Sequence, residues 1–272
     1  MSRPTKIFLF VPATRPERFD KAFASGADDI IIDWEDTVAA ADKAAARTHT
    51  LTYARSSNAP SFWLRLNAAR SPHHADDLRA AAEIPNLKGV ILGKTETAAE
   101  IESVYQALGK PVIADIESAQ GMAAVAELAQ AKGTFALTYG CLDLANDLGI
   151  RYGSPAAAAF FDRLRSDLLL HSRINRLHPP LETTLPDFQN PDIMHRHTRH
   201  WHDMGFGGVL CIHPKQVAAT QTALAPTEAT LAFAQEVVQQ AEHSGAAVFQ
   251  VNGQMVDEPV IAWAKQVLAE NR

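Results

Sequence analysis

Cysteine is nearly missing from this chain: Cys141 and Cys211 are the only 2 among 272 residues, and they do not form a CxxC spacing. That excludes a disulfide framework and a thiolate zinc site, and makes a reducing cytoplasm the expected home. Long apolar runs are missing too. The opening Met1-Ser2-Arg3-Pro4-Thr5-Lys6 leads into an apolar stretch too short for a secretion signal or a membrane span. No excess of positive charge exists either, since 25 Lys and Arg face 31 Asp and Glu for a formal net charge of -6. This argues against a nucleic-acid or anionic-membrane partner while allowing a local basic pocket for a phosphorylated small molecule. A glycine-rich turn is absent after the first apolar run, where Pro12-Ala13-Thr14-Arg15-Pro16 stands instead, so a dinucleotide-binding fold is disfavoured. There is no repeat at a solenoid period and no low-complexity linker.

What is present is alternation. Short β-branched or apolar runs alternate with Ala-rich amphipathic segments, the pattern of βα units that build a parallel sheet covered by helices. Strands are predicted at Ile7–Val11, Asp29–Asp33, Phe62–Leu66, Gly89–Leu92, Pro111–Ile116, Phe135–Tyr139 and Gly208–Ile212. An eighth candidate, Ile174–Leu181, is the weakest because Pro179 and Pro180 sit at its end. Helices are predicted at Arg15–Ser25, Ala75–Glu83, Thr97–Leu108, Gly121–Ala131 and Pro155–Ser172. Eight strand candidates favour a (β/α)8 TIM barrel, an α/β fold, over an open doubly wound sheet. The barrel is expected over residues 1–222. Residues 223–272 then form an extension: a helix over Thr227–Ser244, a strand-like Ala247–Val251, a turn at Asn252-Gly253 and a final helix from Pro259. That tail exceeds what a barrel needs, and reads as a lid or an arm reaching a neighbouring subunit.

Chemistry in such barrels collects at the C-terminal ends of the strands. The most conspicuous strand end is Ile30-Ile31-Ile32-Asp33-Trp34-Glu35-Asp36, an apolar run closing on three acids. Crowded carboxylates at the tip of a buried strand call for a compensating metal, Arg or backbone N–H groups, unless they are simply solvated capping acids. Other strand ends carry Arg65 and Asn67, Lys94 and Glu96, Glu117, Asp143 and His213. Glu117 and Asp143 come from adjacent strands with no cation near them in sequence, and two oxygen donors suit Mg2+; each also has an ordinary reading as a helix N-cap. Arg65 suits a substrate carboxylate or phosphate, or an internal ion pair with Asp33, Glu35 or Asp36. The chain has 11 histidines, several in Met194–His202, but that run lacks the acid of an HExxH motif and reads as a solvated helix face without an assigned role. Cys141 has no adjacent His, which argues against a catalytic thiolate.

Seven segments in order resemble the HpcH/HpaI aldolase and citrate lyase family, specifically its citrate lyase beta-subunit-like acyl-CoA lyases. They are Val11–Phe19 with Lys21-Ala22, Asp33–Val38 with Lys43 and Ala46-Arg47, Leu64–Asn67, Ile116–Gly121, Gly140–Leu144, Ile212–Val217 and Gly253–Pro259. The resemblance runs over nearly the whole chain. It implies a TIM barrel in homotrimers or hexamers that cleaves or forms the carbon–carbon bond of β-hydroxy acyl-CoA compounds with Mg2+. It implies further that Glu117 and Asp143 hold the metal, that Asp36 supports its water shell, and that Arg65 binds the 2-keto acid. By the same resemblance Arg15, Arg18 and Lys21 meet the phosphates of coenzyme A, and Asp257 is the acid that a neighbouring subunit places over the site. Mn2+ accepts the same oxygen ligands. Ala13, Trp34 and Ser118-Ala119 depart from the family pattern beside the ligands without replacing them, which leaves substrate choice open. The expected substrates are citramalyl-CoA or malyl-CoA. The alternatives are the beta subunit of a citrate lyase, acting on a citryl thioester of an acyl carrier protein, an acyl-CoA thioesterase, and a catalytically silent scaffold.

Overall fold

The computed structural model describes residues 6–56, 59–244 and 248–270. Eight strands form one parallel sheet: β1 Lys6–Pro12, β2 Asp29–Asp33, β3 Phe62–Leu66, β4 Leu87–Leu92, β5 Val112–Ile116, β6 Thr134–Tyr139, β7 Leu181–Glu182 and β8 Gly208–Cys211. Their order around the sheet is β6-β5-β4-β3-β2-β1-β8-β7, so β6 and β7 meet at the two ends. The seam between them is bridged by the His178 N–H donating to the Phe135 carbonyl at 2.9 Å and by Thr138 Oγ1 donating to the Leu181 carbonyl at 3.0 Å. The result is the expected TIM-barrel-like α/β fold, nearly closed.

The floor of the barrel takes one side chain from each strand: Phe8, Ile31, Trp63, Ile91, Ile113, Ala136, Leu181 and Leu210. Strands covered on both faces need no polar alternation, which is why β2 reads Asp-Ile-Ile-Ile-Asp and is buried throughout. Gly89 belongs to this floor by having no side chain, since a Cβ there would run into the Trp63 ring and come within 2.7 Å of the Pro111 carbonyl.

Three sequence expectations change. The weak candidate Ile174–Leu181 is not a strand over most of its length: Ile174 ends the helix Pro155–Ile174, and only Leu181–Glu182 pairs with β8. Pro179 and Pro180 have no N–H to give a ladder, so pairing starts only beyond them. The helix expected over Gly121–Ala131 is two short ones, Ala119–Ala123 and Val125–Gln130, and the one expected from Arg15 is a 3-10 turn at Pro16–Arg18 followed by Phe19–Phe23.

The chain divides into two compact units, the barrel ending at Ala223 and a second unit from Leu224 onward. The second unit has helices Glu228–Ser244 and Glu258–Glu270 around an antiparallel hairpin of β9 Phe249–Val251 and β10 Gln254–Val256. Asn252 at φ 51 and Gly253 at φ 79 give the hairpin its two-residue turn with both central residues left-handed. Ala234, Val237, Val251, Val256, Ile261 and Ala264 are its buried core. Ala247, at the start of the strand expected there, lies outside the described residues. No helix among the described residues is long and apolar enough to cross a membrane.

Candidate active site

Side chains two residues apart on a strand share a face, so the floor residues fix what stands above them. One step above Ile31, Trp63, Ile91 and Ile113 stand Asp33, Arg65, Gly93 and Asp115; one step higher come Glu35, Asn67 and Glu117. The barrel is therefore apolar at its floor and charged toward the C-terminal ends of its strands.

Arg65 is the pivot of the charged layer. Its strand neighbour Asp33 accepts from Nε at 2.7 Å and from Nη2 at 2.7 Å, a two-pronged carboxylate–guanidinium pair. The remaining Nη1 lies 3.1 Å from Glu35 Oε2 and 3.8 Å from Asp36 Oδ2, and the guanidinium carbon sits 4.8 Å over the Phe10 ring. Of the two readings offered for Arg65, the internal ion pair is the one seen here; the residue also lines the cavity at this end of the barrel.

The loop after β2 is held from below. Lys43 Nζ donates to the carbonyls of Trp34 and Glu35 and to Asn67 Oδ1, each at 2.7 Å. Trp34 Nε1 donates to Thr50 Oγ1 at 2.8 Å, and Asp33 accepts from the Glu35 N–H at 2.9 Å and from Thr37 Oγ1 at 2.7 Å. Such a frame sets where Glu35 and Asp36 point.

Oxygen atoms of Glu35, Asp36 and Glu117 lie within 4.8 Å of one another, the one such group of potential metal-binding side chains among the described residues. Two glycines make room for them. A Cβ on Gly93 would stand 3.0 Å from the Glu35 carboxylate, and one on Gly140 would stand 2.7 Å from Glu117 Oε1. Glu35 Oε2, Asp115 Oδ1 and Glu117 Oε2 are buried without a hydrogen-bond partner. Hard oxygen donors with unused lone pairs, gathered at one point, fit an ion such as Mg2+ or Mn2+.

Electrostatics reinforce this. Burial, with Asp36 adding repulsion, pushes Glu35 up to about 7 against the opposing pull of Arg65 and Lys94. Burial, then the charges of Asp115 and Glu35, holds Glu117 well above the usual carboxylate range. Asp115 is pushed up to about 6, chiefly by burial. Asp33 goes the other way: burial alone would raise it, but the Arg65 charge and hydrogen bonds bring it below its ordinary value.

Asp36, Arg65, Asp115, Glu117 and Asp143 all line one cavity of about 270 Å3 at this end of the barrel. Asp143 is in the first turn of the helix Cys141–Asp147 and is exposed, outside the tight group of three. Glu117 and Asp143 therefore share the cavity, with Glu35 as an additional candidate ligand. Asp115 and Glu35 are the site residues to which sequence reasoning gave no part of their own; for Asp115 the available signal was an acid inside an otherwise apolar strand.

Arg15, Arg18 and Lys21 are exposed on the 3-10 turn and helix that follow β1. Arg15 Nε is 2.5 Å from Glu17 Oε1. Burial, then the charges of Lys215 and Lys21, lowers the pKa of His213, which follows β8. Asp257 lies in the second unit, where its carbonyl accepts the first hydrogen bond of the last helix, from Ile261. Burial raises the Cys141 thiol above its ordinary value, in line with the reading that excluded a thiolate. The histidine run is a helix, Pro191–Asp203, with His200 and His202 exposed as expected. His197 departs from that reading: it turns inward to within 3.5 Å of Glu182, which also pairs with Arg165, and burial lowers its pKa.

Residues 6–214 match the family model described as HpcH/HpaI aldolase/citrate lyase. A citrate lyase subunit beta-like protein of Mycobacterium tuberculosis is 36% identical over 265 residues, covering 96% of this chain and 93% of that protein. A (3S)-malyl-CoA thioesterase of Cereibacter sphaeroides is 28% identical over 277 residues, covering 99% and 95%. Among solved structures, CitE from Mycobacterium tuberculosis in complex with magnesium, acetoacetate and coenzyme A superposes with a TM-score of 0.86 at 32% identity, covering 99% of this chain and 98% of that one.

Proposed function

The chain belongs to the HpcH/HpaI aldolase/citrate lyase family, and from that premise we propose that it is a Mg2+-dependent carbon–carbon lyase for a short β-hydroxy acyl-CoA. The products would be acetyl-CoA and a 2-keto acid: pyruvate from citramalyl-CoA, or glyoxylate from malyl-CoA. The observation that carries this reading is the convergence of Glu35, Asp36 and Glu117 beside an arginine that lines the cavity at this end of the barrel. The solved relative that binds magnesium, a 3-oxo acid and coenzyme A supports it.

In this reading Glu117 and Asp143 hold the metal, with Asp36 ordering its water shell and Glu35 close by. Bound there, the ion supplies a Lewis acid for the oxygen of the keto acid. Arg65 Nη1 takes the substrate carboxylate while Asp33 keeps the fork from turning away. Arg15, Arg18 and Lys21 bind the phosphates of coenzyme A. Asp257, delivered by a neighbouring subunit of a homotrimer or hexamer, is the base that takes the thioester α-proton in condensation. The resulting enolate carbon then bonds to the keto carbon, and the oxygen there gains a proton to become the hydroxyl. Cleavage runs backward: the hydroxyl loses its proton, the carbon–carbon bond breaks, its electron pair passes to the thioester enolate, and protonation yields acetyl-CoA. A carboxylate does this only when desolvated and close, which is the part given to the tail from Leu224 onward as a lid.

Two alternative readings rest on specific relatives. One is a thioesterase, as the Cereibacter sphaeroides relative is named. The other is a citrate lyase beta subunit, as a protein of Leuconostoc mesenteroides that is 28% identical over 288 residues is named; such a protein would act with an acyl carrier protein. The test is to incubate the purified chain and Mg2+ with citramalyl-, malyl- and citryl-CoA and with a citryl thioester of an acyl carrier protein, and to identify products. Keto acid together with acetyl-CoA is expected; free coenzyme A without keto acid would establish the thioesterase, and activity only on a carrier-bound citryl group the third reading.

A further inference from the structure

The acids at the mouth of the barrel already have a cation among them. Lys94 Nζ lies 2.6 Å from Glu35 Oε1, 3.2 Å from Asp36 Oδ1 and 3.2 Å from Glu117 Oε2. These are the same three side chains whose oxygens gather within 4.8 Å. Lys94 comes from the residue after Gly93, and its backbone is left-handed at φ 52, a conformation that a lysine adopts at some cost. From that turn the side chain reaches Glu35, Asp36 and Glu117.

The fit is incomplete in an informative way. An ammonium has three N–H donors and no lone pair. Lys94 directs its hydrogen bonds to Glu35 Oε1 and the Asp36 carboxylate, while Glu117 Oε2 and Glu35 Oε2 stay buried without a hydrogen bond. A divalent ion, which takes six or more oxygen ligands, could engage the two oxygens that the ammonium leaves without a hydrogen bond. The two glutamates are closed in and the lysine is not: the Glu35 and Glu117 side chains are 6% and 3% exposed, against 36% for Lys94, and Asp36 stands at the open edge with it. Lys94 therefore has a route to water that Glu35 and Glu117 lack.

We propose that Lys94 is the internal counter-ion of the metal-free site, holding Glu35, Asp36 and Glu117 together until a divalent cation displaces its ammonium. Lys94 is a positioning residue in this role, acting through the carboxylates. It sets metal affinity by competition, since its charge and the incoming ion cannot share one point. This rests on the metal reading above. Its opposite is a permanent scaffold in which Lys94 stays beside the ion and supports the acids, so that its loss would weaken metal binding.

The two are separated by Mn2+ titration, following free Mn2+ by EPR, on wild type, Lys94→Met, Lys94→Gln and Glu117→Gln, with folding checked by circular dichroism. Wild type is expected to bind Mn2+, Glu117→Gln to bind it weakly, and both Lys94 variants to bind it more tightly, on the order of tenfold. In EDTA the Lys94 variants should melt below wild type and gain more from added Mn2+. Wild-type binding with equal or weaker binding by both folded Lys94 variants overturns the proposal alone. Mn2+ binding by neither wild type nor the Lys94 variants overturns the metal reading and the proposal together. Binding by the Lys94 variants only would show competition at its strongest.

Discussion

Asp33 grips Arg65 by two parallel hydrogen bonds of 2.7 Å across neighbouring strands, with the carboxylate closed off from water and the guanidinium largely so. The pair turns a flexible cation into a fixed one. Asp33→Asn would put an amide NH2 against guanidinium N–H groups and leave Arg65 facing Glu35 and Asp36 without its holder. Breaking a buried pair of this kind costs roughly 3–5 kcal/mol. Urea unfolding should show a loss of that size, and turnover should fall with a raised KM for the keto acid; an unchanged KM would mean that Asp33 serves stability only.

The metal-free protein should be more stable in mild acid than in mild base. Glu35 at about 7, Asp115 at about 6 and Glu117 raised by burial and its neighbours bind protons more tightly folded than unfolded. Their contribution is fully present below the ordinary carboxylate values, and is lost as pH rises through the folded ones. In EDTA, the melting temperature should therefore fall between about pH 5 and pH 8. Added Mg2+ or Mn2+ should oppose that fall, because the ion needs the ionised acids. Melting curves at four pH values with and without metal check both signs.

Gly140→Ala tests the room made for Glu117. The backbone there is ordinary, at φ -93, so the substitution acts through the new Cβ, 2.7 Å from Glu117 Oε1. Metal affinity should drop on the order of tenfold or more while the fold persists, since one displaced ligand is comparable to a lost orienting partner. Mn2+ binding beside a circular dichroism melt decides this.

Gly89→Ala should act on the fold instead. Its Cβ meets the Trp63 ring and the Pro111 carbonyl, 2.7 Å away, in the layer that forms the barrel floor. Overpacking of this sort costs about 1–3 kcal/mol. The loss should appear in denaturant unfolding, with metal affinity of the folded protein little changed.

Arg18→Ala with Lys21→Ala tests the basic residues beyond β1. The KM for an acyl-CoA should rise several-fold and become less sensitive to salt. A pantetheine thioester of the same acid, which lacks the nucleotide phosphates, should be handled as before. Equal effects on both substrates would place these residues outside phosphate recognition.

The sequence by itself determined the barrel's parts. Short β-branched apolar runs such as Ile30-Ile31-Ile32 fit strands covered on both faces, and their spacing with Ala-rich helices favours a parallel closed sheet. It also determined which strand ends carry charge, because an acid or arginine directly after such a run has nowhere else to go. Where local chemistry contradicted the pattern, as at Pro179-Pro180, strand length was misjudged, since only the pairing partner shows which N–H groups are needed. Which charges meet was decided by the tertiary structure. The twofold alternation of each strand, combined with register across five strands, set Asp33 against Arg65 and stacked Glu35 and Glu117 over Gly93 and Gly140. The same closure brought Lys94, 59 residues from Glu35 in sequence, to within 2.6 Å of it. Separations of that length leave no periodic trace in a chain, and neither does the burial that moves a carboxylate's pKa, because both are properties of the closed barrel and of no single segment.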